Sequence, residues 1–162
     1  MFSERLLAPL LASALAVGLG VVLHELGHKF FGQRFSAHSE FHSFDQWLIM
    51  GVLISFTGFL FVLPGAVFTS GHITKRQLGI IALAGPTVNF LLILLFLPLT
   101  LLGGLAGYIG ALGVEINALL AVFNMLPFSI FDGAKVAAWN KIVWAAGFSI
   151  AIITSFAAYA VV

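Results

Sequence analysis

The segment HELGH, from His24 to His28, has the residue types and the spacing of a catalytic zinc site. On a helix, residues four positions apart lie on one face, so both imidazoles can bind the same ion. The glutamate that follows the first histidine, Glu25, then lies beside the ion and can accept a proton from bound water. The chemistry that this pattern indicates is hydrolysis by metal-activated water.

The composition argues against a chance pair of histidines near a helix end. The chain has 162 residues, of which 61% are hydrophobic and only 8% are charged, whereas a soluble domain is about 25% charged. This places it among polytopic membrane proteins. Ionisable groups in membrane segments are costly and are candidates for function by default. HELGH holds three such groups in five residues, so we interpret it as a metal site.

The net charge and the absence of cysteine limit the possible ligands and partners of the protein. A net charge of +1 gives no case for nucleic acid binding. The chain has no cysteine, which excludes thiolate ligands and disulfides. A metal in this protein must therefore be held by histidines and carboxylates.

The third metal ligand stays open at this point. A catalytic zinc usually has three protein ligands and one water. Asp132 differs from the other candidates because it follows a break at Pro127, precedes Gly133 and lies at the end of an apolar segment. Glu115 lies inside that segment. The others lie in polar connections or at the far end of the first apolar segment: Glu4, His38, Glu40, His42, Asp45 and His72.

The elements that must position these residues are apolar helices. The apolar segments cover residues 6–31, 47–63, 78–102, 105–125 and 141–162. We expect one integral-membrane domain over residues 1–162, an all-α bundle of about four spanning helices. Since a span needs about 17 to 25 apolar residues, the segment Trp47–Leu63 is borderline in length. It is expected to be re-entrant or interfacial, because glycine, serine and threonine residues interrupt it and Pro64 ends it. Residues 64–77 are expected to form a short β-hairpin around Ser70 and Gly71.

Two further motifs establish a resemblance. The stretch NMLPFSIFDG runs from Asn124 to Gly133, and AGPTVN runs from Ala84 to Asn89. With HELGH, they occur in the order of three motifs in the site-2 protease family of intramembrane zinc metalloproteases, peptidase family M50, which the chain resembles. The family pattern N-x-x-P-x-x-P-L-D-G departs here at Ile130 and Phe131. Residues 1–162 contain no segment similar to the family's PDZ-like domain, so we expect a minimal core.

The resemblance implies a site and a reaction. His24, His28 and Asp132 would hold one Zn²⁺ per chain, Glu25 would be the general base, and Asn124 would contact the substrate or the developing oxyanion. The substrate would be a transmembrane segment of another protein, cleaved within the lipid bilayer. The implied location is the cell membrane of a prokaryote.

Roles for three other groups are less determined. Asn89 fits either a function in the site or a hydrogen bond between membrane helices. Gly85 and Pro86 are expected to allow close helix packing and a local bend. Glu115 fits either substrate sensing or packing beside a watery cavity.

Three alternatives to an intramembrane protease stay open. An inactive relative could act as a scaffold that binds membrane proteins, although it would lack a ligand or the glutamate. A metal transporter would carry several polar groups along a path, whereas one cluster is visible. A different membrane metalloprotease would use a downstream glutamate as third ligand, and Glu115 is the candidate.

The metal site also constrains topology. HELGH lies near the end of the first helix and Asp132 lies just past the fourth apolar segment, so an even number of crossings must separate them. With Trp47–Leu63 not spanning, only Arg5 falls on the far side of the membrane. The positive-inside rule makes the metal side cytoplasmic, because it carries Lys29, Arg34, Lys75, Arg76, Lys135 and Lys141.

Overall fold

A computed structural model describes residues 2–43, 45–55, 65–128 and 131–161. Within them the chain is mostly helical, as expected. The helices are α1 (Phe2–Arg34), α2 (Asp45–Ser55), α3 (Lys75–Phe96), α4 (Gly104–Asn124), α5 (Asp132–Trp139) and α6 (Lys141–Val161). Two strands, β1 (His38–Ser43) and β2 (Gly65–Ser70), form an antiparallel ribbon.

Four helical segments are long and apolar enough to cross a membrane: Pro9–Arg34, Lys75–Leu101, Gly104–Asn124 and Lys141–Ala160. At 1.5 Å per residue they are about 30 to 40 Å long, which suits a hydrocarbon core of about 30 Å. Large apolar side chains on their outer faces are exposed, among them Leu94, Leu95 and Ile153. The chain is a multi-pass membrane protein.

The centre of the bundle is formed by α1, α3 and α4, which pack against one another. A buried apolar cluster joins α3 to α4 and reaches α6: Leu92, Ile93, Phe96, Val114, Ala118 and Ala158. The helix α5 packs on α3 and α6. Both α1 and α5 therefore contact α3, which holds them in fixed relative positions.

The predicted local hairpin around Ser70 and Gly71 is wrong. The strand β2 pairs with β1, with His38 opposite Ser70 and Ser43 opposite Gly65. The chain after Gly71 starts a helix instead, because Thr74 and Gln77 form a capping box. The Thr74 hydroxyl accepts from the Gln77 backbone N–H, and the Gln77 side chain accepts from the Thr74 backbone N–H.

The ribbon also bears on the short segment Trp47–Leu63. Its first part lies in α2, which spans 11 residues and is about 16 Å long; residues 56–64 lie outside the described part of the chain. Because Ser43 and Gly65 are paired neighbours, the chain between them starts and ends at the same place. This pairing supports a segment that does not cross the membrane.

Candidate metal centre

The two histidines of HELGH lie on one face of α1, as their spacing predicts. Both are buried, with 4% of His24 and 7% of His28 exposed. Their Nε2 atoms are 3.1 Å apart. The face that carries them packs against α3 and α4, so the pair points into the bundle and away from lipid.

Asp132 reaches this pair from the first residue of α5. Its Oδ2 lies 2.9 Å from Nε2 of His28 and 3.4 Å from Nε2 of His24. The chain can bring it there because α4 ends at Asn124 and the chain turns before α5. Gly133 lies against the carbonyls of Met125 and Leu126, at a distance that leaves no space for a β-carbon.

The three ligand atoms have the spacing that one metal ion requires. Tetrahedral zinc with bonds of about 2.0 to 2.2 Å holds its ligand atoms about 3.3 to 3.6 Å apart, and the observed distances of 2.9 to 3.4 Å are slightly shorter. Among the described residues, His24, His28 and Asp132 are the group close enough to share an ion. Two imidazoles and a carboxylate form a donor set typical of catalytic zinc, in which water takes the fourth position.

The outer ring nitrogens of the histidines support the same interpretation. Nδ1 of His28 lies 2.7 Å from the carbonyl oxygen of Ile81, and Nδ1 of His24 lies 2.6 Å from Oδ1 of Asn89. Both partners accept, so each Nδ1–H donates, and in the neutral ring Nε2 then carries the lone pair that a metal can bind. Metal-binding histidines are usually oriented in this way. The residues present therefore fit a zinc ion.

The Asp132 carboxyl is held in its ionised form. Its Oδ1 accepts a hydrogen bond from Nζ of Lys135 at 3.0 Å. Burial disfavours the anion, yet the pKa of Asp132 lies well below its ordinary value because His28, His24 and Lys135 stabilise the charge. An ionised carboxylate is the form that binds a metal.

Gly85 of α3 forms the wall behind the ligand atoms. A β-carbon at this position would lie 2.5 Å from Nε2 of His28 and 2.6 Å from Nε2 of His24. Gly85 permits close helix packing, as expected, because the imidazoles of His24 and His28 occupy the space that a side chain would take. Pro86, which follows it, is fully buried within α3.

The predicted catalytic residues lie on two elements. Glu25 is half-buried on α1, directly after His24. Asn124 is half-buried at the end of α4, and its amide donates to the carbonyl of Leu120 at 3.0 Å. Their roles as general base and oxyanion donor stay predictions.

Among the side chains that the structure describes, the other candidates for a third ligand lie outside the group. His38 and Glu40 are exposed on β1 and pair with each other at 3.0 Å. Glu115 is half-buried within α4, and His72 is exposed ahead of α3. Asp45 begins α2. The side chains of Glu4 and His42 lie outside the described part of the protein.

The sequence did not predict the roles of two asparagine side chains that are hydrogen-bonded in series to His24. Asn89 bonds both His24 and Asn117, so the two roles considered for it are combined in one side chain. Asn117 was not recognised as a site residue at all. The signal in the sequence was an asparagine within an apolar segment, and the structure shows that it is fully buried.

The chain has relatives among curated proteins. It is 42% identical over 142 residues to "Putative zinc metalloprotease MJ0611" of Methanocaldococcus jannaschii, covering 82% of this chain and 72% of that protein. It is 33% identical over 138 residues to "Putative zinc metalloprotease Rip2" of Mycolicibacterium smegmatis, covering 71% of this chain and 51% of that protein. No protein-family model and no solved structure matches it. With its three ordered motifs, the chain belongs to the site-2 protease family of zinc metalloproteases.

Proposed function

We propose that this protein is an intramembrane zinc metalloprotease that hydrolyses peptide bonds in transmembrane segments of other proteins. One observation carries the proposal: Nε2 of His24, Nε2 of His28 and Oδ2 of Asp132 converge, buried, inside a bundle of membrane-spanning helices. A hydrolytic site in that position serves substrates that are themselves in the membrane.

The reaction divides between the metal and the side chains around it. A zinc ion held by His24, His28 and Asp132 would lower the pKa of a bound water and polarise the substrate carbonyl. Glu25 then accepts the proton from the attacking water and returns it to the leaving amine. Asn124 donates a hydrogen bond to the carbonyl oxygen as negative charge develops there. Removing such a donor typically lowers kcat by about 100- to 1,000-fold.

The substrate must unfold locally before it is cut. A helix in the bilayer uses its carbonyls in internal hydrogen bonds, so the scissile carbonyl is not available until the helix opens. Transmembrane segments that contain glycine or proline lose less on opening, because these residues destabilise helices. We expect such segments to be the better substrates.

We infer the orientation from charge. Six of the seven basic residues lie at the end of α1, at the start of α3, within α5 or at the start of α6. Because cytoplasmic loops carry an excess of lysine and arginine, we propose that the site lies nearer the cytoplasmic face of a prokaryotic cell membrane.

The proposal is tested with the purified protein in lipid vesicles. Single-span peptides, some with a central Gly-Pro pair, would carry a fluorophore and a quencher at opposite ends. We expect cleavage that stops with a zinc chelator and returns with added zinc. Cleavage that survives complete removal of zinc would exclude a metalloprotease.

A further inference from the structure

Asn117 lies in the middle of α4 with none of its surface exposed. It does not contact the three ligand atoms, yet a chain of hydrogen bonds connects it to His24 through Asn89. We propose that Asn117 is a positioning residue: through Asn89 it fixes His24 in the tautomer whose Nε2 is free to bind metal. This inference rests on the metal site of the proposed function.

The orientation of Asn117 is set by the backbone. One end of its amide lies 2.8 Å from the carbonyl oxygen of Gly113, one turn earlier in α4. A carbonyl only accepts hydrogen bonds, so the atom that faces it must be the NH₂ group. The opposite end of the amide, Oδ1, therefore faces Asn89.

The orientation of Asn89 follows from the same logic. Its NH₂ group donates to Oδ1 of Asn117 at 2.9 Å and to the carbonyl oxygen of Gly20 at 3.3 Å. Both partners are acceptors, so the amide of Asn89 cannot turn over without placing oxygen against oxygen. Its Oδ1 consequently faces Nδ1 of His24 at 2.6 Å. Two backbone carbonyls, on α4 and α1, thereby determine where the proton of His24 lies.

The tautomer matters because of what surrounds Nε2. That atom lies 3.1 Å from Nε2 of His28 and 3.4 Å from Oδ2 of Asp132. A proton on it would occupy the position of the metal, and a protonated nitrogen has no lone pair to donate. Holding the proton at Nδ1 keeps the site ready for the ion.

The two histidines differ in how this is achieved. His28 donates directly to the backbone carbonyl of Ile81, which no side-chain substitution removes. His24 depends on two asparagine side chains. The relay therefore predicts that substitutions at Asn117 affect His24 and leave His28 unchanged.

The direct test is the ring ¹⁵N NMR spectrum of zinc-free protein labelled in its histidines. It is recorded as a pH series, and the tautomer is read in the range where the spectrum itself shows the His24 ring to be neutral. His24 is assigned by its absence from the spectrum of His24→Gln. We expect its proton on Nδ1. A proton on Nε2 in the wild-type protein overturns the proposal, and this result requires no variant that must fold.

Two substitutions at Asn117 separate positioning from general stability. Asn117→Leu has a similar volume but no hydrogen-bonding atoms, so Asn89 loses its partner. We expect the Nε2-protonated form of His24 to appear, and the zinc affinity to fall about tenfold, the low end of effects seen for residues behind metal ligands. In Asn117→Asp, burial favours the neutral acid, whose O–H donates to the carbonyl oxygen of Gly113 while its other oxygen accepts from Asn89. This variant should therefore retain the wild-type spectrum and affinity.

Thr87→Val is the matched control, since Thr87 also bonds its own helix backbone, at Leu83, but is exposed. If folded Asn117→Leu shows the wild-type His24 signal and zinc affinity, the relay has no positioning role. If that variant does not fold, the wild-type spectrum decides. Both readouts are independent of proteolysis, so a protein that orders His24 as described but cleaves nothing would contradict the proposed function alone.

Discussion

Nε2 of His28 lies 2.9 Å from Oδ2 of Asp132. This contact joins the first helix of the chain to the fifth. Both helices pack on α3. The positions of the ligand atoms thus depend on α3, and substitutions on α3 should change the distances between these atoms.

The first prediction concerns metal content. The purified protein should contain about one zinc per chain, because one three-ligand site is present among the described residues. His24→Ala, His28→Ala and Asp132→Ala should each lower occupancy, as measured by elemental analysis. His72→Ala is the control, since His72 is exposed and outside the group. Full occupancy in Asp132→Ala would show that the third ligand is another residue.

The second prediction concerns Gly85. In Gly85→Ala the new methyl group would lie 2.5 Å from Nε2 of His28, so the imidazoles must move apart and zinc binding should weaken at least about tenfold. Gly18→Ala is the matched control, because a β-carbon there meets no atom within 4 Å. It should bind zinc normally and gain up to about 1 kcal/mol of stability from helix propensity.

Competition with a zinc chelator measures both affinities, and thermal unfolding in detergent measures both stabilities. Equal zinc affinities for the two glycine variants would mean that α3 does not form the wall behind the ligands.

The sequence predicted the metal ligands better than the residues that orient them. HELGH is a local pattern, and helix periodicity is enough to place His24 and His28 on one face. Asp132 was distinguished by a proline break and by a family motif. Asn117 was missed because its role depends on contacts with α1 and α3. A local sequence pattern contains no information about these contacts.

The pairing of β1 with β2 is a second feature that no local sequence pattern contains. The sequence indicates a β-type run on each side of Ser70 and Gly71. A strand, β2, is present before Gly71, but it does not pair with the residues that follow it. The actual partner, His38–Ser43, had been assigned to a polar connection, because pairing across a long insertion leaves no periodic signal. The capping box at Thr74, a pattern visible in the sequence, would have argued against the hairpin.

The third prediction concerns topology. The chain has no native cysteine, so single cysteines report accessibility cleanly. Gln33→Cys, Ser70→Cys and Ala138→Cys, at exposed positions near the ends of α1, β2 and α5, should all react with an impermeant maleimide from the cytoplasmic side. Gly103→Cys, exposed between α3 and α4, should react from the other side. Labelling of positions 33 and 70 from opposite sides would mean that residues 44–64 cross the membrane.

The central claim is that Glu25 and the metal together cut peptide bonds inside the membrane. Glu25→Gln keeps the shape of the side chain and removes the proton acceptor. Membranes from cells that produce the wild-type chain or Glu25→Gln would be compared by mass spectrometry of protein N-termini, with zinc content measured on the same two purified proteins.

We predict equal zinc in both proteins, and new N-termini within apolar membrane segments in the wild-type sample alone. The same new N-termini in both samples, with zinc bound in both, would contradict the account.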